Sequence, residues 1–218
     1  LHFIWIVDCS ESMLLDGKIA ALNAAIRDSI PHLRDVAMQN PHAQVLARCL
    51  TFSSGHRWTI PSPTPVEQMT WTDLTASGYT DMGGALAEVA QQLKVPPLEP
   101  RALPPALVLV SDGQPTDDFD AGLATLMAEP WGTKAVRLAV AIGKDADLDV
   151  LSRFIGNPEV RPMQAGNAEQ LTHFIRWAST VATRAASSPV AAATLQGDFA
   201  PPPIPMGAAP VDQVGATW

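Results

Sequence analysis

Leu1-His2-Phe3-Ile4-Trp5-Ile6-Val7-Asp8-Cys9-Ser10-Glu11-Ser12 opens the chain. Its first seven residues are apolar at nearly every position and rich in β-branched and aromatic side chains, the pattern of a short strand buried on both faces. The run stops abruptly at Asp8. Further along, Ala106-Leu107-Val108-Leu109-Val110 repeats the pattern and stops at Ser111-Asp112-Gly113. Strands buried on both faces need helices above and below them, and that requirement sets the fold class.

The segments between and beyond these runs supply the helices. From Lys18, apolar residues fall at Ile19, Leu22, Ile26, Ile30 and Leu33, the three-and-four spacing of an amphipathic helix, with a kink expected at Pro31. Asn40-Pro41 breaks the pattern. Val45 to Phe52 reads as a second strand, and His56 to Ile60 as its hairpin partner after Ser53-Ser54-Gly55. The proline-rich stretch Pro61 to Pro65 and the polar residues up to Thr80 read as loop. A helix carrying Leu86, Val89, Ala90 and Leu93 follows and stops at Pro96-Pro97. Leu123, Leu126 and Met127 mark another helix, Ala135 to Ile142 a buried strand, and helices are expected over Asp147 to Ile155 and Ala168 to Arg184, with a short strand at Val160 to Met163 between them.

Alternating strands and helices predict an α/β domain over residues 1–185: a doubly wound, mostly parallel central sheet with helices on both faces, Rossmann-like in plan. Residues 186–218 change character. They are rich in Ala and Pro and carry only Asp198 and Asp212 as charges, which reads as a tail or linker, with Phe199, Ile204, Met206, Val211 and Trp218 as the residues that could dock it on this domain or a partner.

Charge narrows the function classes. Lys and Arg total 14 against 22 Asp and Glu, a formal net charge of −8, so the chain repels nucleic acid and anionic membranes and concentrates cations. Neither nucleic acid nor membrane is expected as a partner. Cys9 and Cys49 match no zinc or disulfide spacing and read as reduced core thiols. The apolar start lacks a basic flank and is too short to span a bilayer, so a cytoplasmic location is expected. The chain begins at Leu1 rather than Met, which leaves open what precedes it.

In an open parallel sheet, ligands gather at the carboxyl ends of the strands where strand order reverses. If the first strand and the Leu107 to Val110 strand flank that point, Asp8 and Asp112 face one crevice, and the Gly78 to Gly83 loop brings Thr80 to the same end. Asp8, Ser10 and Ser12 stand at steps of two, a spacing that in a tight loop turns three oxygens toward one point. Hard oxygens in a near-octahedral array suit Mg²⁺, or Mn²⁺ less strictly. Each residue alone has an ordinary use as a turn or helix-cap group. Five on three converging loops argue for a metal.

Other patterns carry less. His2, His32, His42, His56 and His173 share no metal-ligand spacing. Asp145 to Asp149 resembles the start of a calcium loop, but Val150 stands at the sixth position and Gly156 at the twelfth, so helix-start carboxylates account for it better. Gly83-Gly84 is followed by Ala85-Leu86, not Lys and a hydroxyl, and reads as a close approach of backbone to helix. Asp117 and Asp118 are placed to cap the helix that follows.

These residues resemble the von Willebrand factor A (VWA) domains with their metal-ion-dependent adhesion site (MIDAS), whose pattern is Asp-x-Ser-x-Ser, a Thr from a second loop and an Asp from a third. Asp8, Ser10, Ser12, Thr80 and Asp112 match it in order. The resemblance implies that Asp8, Ser10 and Ser12 hold the ion, Mg²⁺ first and Mn²⁺ or Ca²⁺ next. It implies too that Thr80 and Asp112 bind it directly or through water, and that a Glu or Asp of a protein partner completes the shell. Ser53-Ser54 stands where such domains often carry an Asp. Leu74-Thr75-Ala76-Ser77-Gly78 and Asp112-Gly113-Gln114-Pro115-Thr116-Asp117 are most similar to bacterial tellurite-resistance (TerY-type) proteins. That similarity implies a non-enzymatic Mg²⁺-dependent interaction module of a stress-response phospho-signalling system, working beside a kinase-like protein and a PP2C-type phosphatase. Two alternatives remain: a VWA subunit of an AAA+ ATPase complex, and a Mg²⁺-dependent phosphohydrolase of haloacid-dehalogenase type. The latter also starts from an Asp after the first strand, but needs a carboxylic acid where Ser10 stands.

Overall fold

The computed structural model describes residues 1–39 and 44–187. The break expected at Asn40-Pro41, His42 and the Ala/Pro-rich segment from residue 188 onward lie outside the described residues. Twelve helices and strands make up the described part: β1 (His2–Asp8), α1 (Lys18–Met38), β2 (Leu46–Ser53), β3 (Gly55–Pro65), α2 (Met82–Gln92), β4 (Ala106–Ser111), α3 (Phe119–Ala128), α4 (Pro130–Lys134), β5 (Val136–Ile142), α5 (Leu148–Ile155), β6 (Met163–Ala165) and α6 (Ala168–Ser187).

The strands form one sheet in the order β3-β2-β1-β4-β5-β6, all parallel except the edge strand β3. Strand order reverses between β1 and β4, where the two apolar runs were expected to meet. Phe3 to Val7 and Ala106 to Val110 are fully buried, which only helices on both faces can achieve. Packing of α1 against α6 and of α2 against α3 supplies those layers. The buried stripe of α1 is Leu22, Ile26, Ile30 and Leu33, as the spacing dictates, and the helix continues through Pro31.

Gly83 on α2 meets Gly122 on α3 so closely that a Cβ at Gly122 would stand 2.2 Å from the Gly83 carbonyl oxygen. A Cβ at Gly83 would stand 2.3 Å from the Asp118 carbonyl oxygen. Both contacts are backbone against backbone, so the glycines set how closely the two helices approach.

Two expectations need correction. The proline-rich stretch is not loop: β3 runs to Pro65 and pairs with β2 along its length. Because β3 is an edge strand, its prolines sacrifice no inner ladder bond. Pro61-Ser62-Pro63 bulge out between the pairs Ile60↔Cys49 and Thr64↔Ala47. The last strand is Met163–Ala165, not Val160 to Met163, because Pro162 has no N–H to add to a ladder; Val160 is buried in the preceding loop instead. Helix α4 and two 3-10 turns, Glu11–Gly17 and Val66–Gln68, are too short for periodicity to reveal.

Candidate metal centre

The parallel register carries β1 and β4 out of the sheet together. Val7 pairs with Val110, so Asp8 and Ser111 emerge side by side and Asp112 follows. Asp8 is fully buried and Asp112 is 1% exposed. The Asp8 carboxylate accepts from the Ser10 N–H at 2.8 Å through Oδ1 and from the Ser111 hydroxyl at 2.6 Å through Oδ2. Ser111 in turn accepts from the Gly113 N–H at 2.9 Å, which orients it. The Gln114 N–H reaches Asp112 Oδ1 at 3.4 Å.

The hydroxyls follow. Ser10 Oγ and Ser12 Oγ lie 3.0 Å apart. Thr80 is buried and tied to the third loop through Thr116, whose N–H donates to the Thr80 carbonyl at 3.0 Å and whose hydroxyl accepts from the Thr80 N–H at 3.0 Å. The first and second loops are joined through Glu11 N–H to Gly78 O at 2.9 Å and Ser77 N–H to Cys9 O at 2.8 Å. The main chain thus holds all three loops together at the point of strand reversal, and the five residues singled out from the sequence fall on them.

Further residues, invisible to the motif, hold the long segment that delivers Thr80. Asn23 of α1, 4% exposed, accepts from the Leu74 N–H at 2.8 Å and the Trp71 Nε1–H at 3.1 Å, and donates to the Leu74 carbonyl at 2.9 Å. Arg34 donates to the carbonyls of Val66 and Met69, and Arg27 pairs with Asp73. Ser54 accepts from the Tyr79 N–H at 3.0 Å. It packs over Gly78, whose φ of 79° and lack of a Cβ make that approach possible. The only signal for Ser111 in the sequence is a hydroxyl directly before Asp112; Asn23 reads as a polar residue within an amphipathic helix.

The acidic residues near the mouth divide their work. Asp118 caps α3 by accepting from the Ala121 N–H, as expected, whereas Asp117 accepts from the N–H groups of Gly83 and Gly84 at the start of α2. Asp147 caps α5, accepting from the N–H groups of Asp149 and Val150, which fits the helix-start reading of its acidic run. His56 pairs with Asp81 at 2.8 Å. Cys9 and Cys49 are free and buried, and burial pushes both thiols up to about 12, so neither offers a thiolate.

Electrostatics and spacing both test whether an ion fits. Burial raises the Asp8 carboxyl from 3.8 to about 6 against the hydrogen bonds from Ser10 and Ser111, and the negative charge of Asp112 adds to the rise. Neither carboxylate has a basic side chain within ion-pair distance among the described residues. Two adjacent buried acids without a cation are costly, and a divalent ion removes the cost. In an octahedral shell with metal–oxygen bonds of about 2.1 Å, adjacent oxygens stand about 3.0 Å apart. The separation of the Ser10 and Ser12 hydroxyls matches that edge. No group of three or more His, Cys, Asp or Glu side chains gathers that could hold a metal among the described residues.

No protein-family model and no curated protein matches the chain. Solved structures do. A von Willebrand factor type A protein from Catenulispora acidiphila is similar at 17% identity and a TM-score of 0.62, over 84% of this chain and 42% of that one. The ArnB paralog VWA2 from Sulfolobus acidocaldarius is similar at 16% identity and a TM-score of 0.60, over 80% and 44%. Proximal thread matrix protein 1 from the mussel byssus, solved with a zinc-occupied MIDAS motif, is similar at 14% identity and a TM-score of 0.59, over 84% and 45%. The chain spans less than half the length of these structures. The likeness establishes the fold as the Rossmann-like fold of VWA domains.

Proposed function

We propose that the chain is a metal-dependent protein-interaction module in which Asp8, Ser10, Ser12, Thr80 and Asp112 hold a divalent ion, Mg²⁺ before Mn²⁺ or Ca²⁺, and a partner's Glu or Asp completes the shell. The observation that carries this reading is the pair of buried carboxylates with no basic partner among the described residues, on loops that also bring the Ser10 and Ser12 hydroxyls to the spacing of an octahedral edge. A seated ion supplies an electrophilic position for a carboxylate oxygen. Asp8 contributes charge and orients Ser10, while Ser111 fixes the Asp8 carboxylate from behind. Thr116 holds Thr80 in place.

The module works without catalysis of its own. A hydroxyl stands at position 10, where phosphoester chemistry from an Asp nucleophile needs a carboxylic acid to protonate the leaving group. The tellurite-resistance setting rests on the Leu74 to Gly78 and Asp112 to Asp117 stretches: a bacterial, cytoplasmic stress-response system with a kinase-like protein and a PP2C-type phosphatase as partners. Service as a subunit of an AAA+ ATPase complex uses the same site and differs only in what is gripped. Among the described residues no helix is long and apolar enough to cross a membrane.

Calorimetric titration of the chain with Mg²⁺ tests the reading. Saturable one-to-one binding that is lost in Asp112→Ala is expected; no heat in the wild type overturns it. Turnover of a generic phosphate ester that disappears in Asp8→Asn would replace it with the hydrolase alternative.

A further inference from the structure

Exposed large apolar side chains are not scattered over this surface. Six occur among the described residues: Leu14, Leu15, Met38, Tyr79, Val95 and Leu148. Four of them belong to the elements that build the metal centre. Leu14 and Leu15 sit in the 3-10 turn that continues from Ser12, Tyr79 directly precedes Thr80, and Leu148 begins α5 next to Asp147, whose N–H donates to the Asp112 carbonyl at 2.8 Å. Met38 ends α1 and Val95 follows α2, both at the opposite end of the sheet.

The local chain geometry forces this placement. Met13 is fully buried and anchors the Glu11–Gly17 turn, leaving Leu14 and Leu15 54% and 60% exposed on its outer side. Asp16 and Gly17 then take consecutive left-handed conformations to re-enter α1, so the turn cannot roll its leucines inward without losing that exit. Tyr79 is 73% exposed although its own N–H is fixed by Ser54. Exposed apolar groups on the segments that carry a polar centre are the anatomy of a docking surface.

We infer that Leu14, Leu15, Tyr79 and Leu148 form an apolar collar that recognises, on a partner protein, a single Glu or Asp flanked by bulky apolar side chains; the inference rests on the proposed metal reading. Charge decides between a lone acid and an acid-rich segment. Glu11, Asp117 and Asp118 are exposed near the same mouth of a chain with a net charge of −8, so a polyacidic stretch is repelled while one carboxylate satisfies the ion. The leucines and Tyr79 then bury the residues adjoining that acid. Specificity arises from the collar, affinity for the acid from the ion.

The test uses the full chain with Mg²⁺ and three fluorescent peptides, in which a central Glu is flanked by Leu, by Ser or by further Glu within an otherwise Gly-Ser sequence. The Leu-flanked peptide is expected to bind about tenfold tighter than the Ser-flanked one, from partial burial of the collar leucines. Leu14→Ser/Leu15→Ser and Tyr79→Ser should each erase most of that advantage while leaving the calorimetric Mg²⁺ titration and circular dichroism unchanged. Equal affinity for all three peptides, preference for the Glu-rich one, or an advantage that survives in the variants overturns the collar. Absence of Mg²⁺ binding in the wild type instead removes the metal reading itself. Mg²⁺-dependent self-association in sedimentation would assign the collar to a second copy. A gain in peptide affinity on Asp198→Asn/Asp212→Asn would assign it to this chain's own tail. Either result overturns the partner proposal.

Discussion

Asp8→Asn should make the metal-free protein more stable at neutral pH, although it removes the residue most central to the candidate site. In the folded chain the Asp8 carboxyl is raised from 3.8 to about 6 by burial. A raised acid binds its proton more tightly when folded. Well below pH 4 both states are protonated and no penalty exists. As pH climbs from about 4 to 6 the unfolded chain releases the proton first, and the native state loses about 1.4 kcal/mol per pH unit. Above pH 6 the loss levels off at about 3 kcal/mol. For a chain of this size that corresponds to about 6–12 °C in Tm. Asparagine carries no charge, its carbonyl oxygen can still accept from the Ser10 N–H, and its amide can donate to Ser111 Oγ. Urea unfolding in chelator at pH 4 and pH 7.5 measures the difference between variant and wild type, in which contributions of the other carboxylates cancel. The variant is expected to gain up to about 3 kcal/mol at pH 7.5 and only about 0.5 kcal/mol at pH 4. With saturating Mg²⁺ the order should reverse, because only the wild type gains binding energy; at a hundredfold excess over Kd that gain is about 2.7 kcal/mol. A variant less stable than wild type in chelator at pH 7.5, or an unchanged difference between the two pH values, would refute the account of Asp8 as an uncompensated buried acid.

Other outcomes follow from the neighbouring contacts. Ser111→Ala removes the hydroxyl behind Asp8 and should weaken Mg²⁺ binding about tenfold by calorimetry, the usual cost of losing an orienting partner. Asn23→Ala deletes three buried hydrogen bonds to Trp71 and Leu74 and should cost about 3 kcal/mol in urea unfolding. Asn23→Asp keeps the oxygen that accepts from Leu74 N–H and Trp71 Nε1–H but loses the donor to the Leu74 carbonyl, so it should recover only part of that stability. Gly83→Ala forces a methyl to within 2.3 Å of the Asp118 carbonyl oxygen and should lower stability by about 3 kcal/mol, with loss of soluble protein as the first sign.

The parts of this molecule that could be read from the sequence are those whose physics is local. The burial of β1 and β4 on both faces is written in unbroken apolar runs, and the stripe of α1 in its three-and-four spacing. Asp8, Ser10 and Ser12 announce themselves because one tight loop spaces them; Thr80 and Asp112 needed a premise about which strands are neighbours, and the β1–β4 pairing supplies it. The extent of β3 was not legible, since proline is excluded from inner strands but tolerated on an edge, and edge position is decided by the whole sheet. Asn23 and Ser111 were hidden for a related reason. Each matters through a partner 51 or 103 residues away, a distance no window of sequence spans. Asp117 misled in part: it serves the start of α2 rather than the helix it precedes, because the close crossing at Gly83 and Gly122 brings that start within its reach.

The bonds from Glu11 N–H to Gly78 O, Ser77 N–H to Cys9 O and Thr116 N–H to Thr80 O stitch the three loops together through main-chain groups alone, leaving the side-chain oxygens proposed for the ion out of the stitching. Position and chemistry are therefore written in separate parts of the molecule. If the proposed metal centre holds, a drift or deliberate change at residue 10, 12 or 80 would retune which ion is preferred while the seat stays where it is. The face is a socket whose contacts can be exchanged one at a time, which suits it to redesign as a switchable clasp for a different metal.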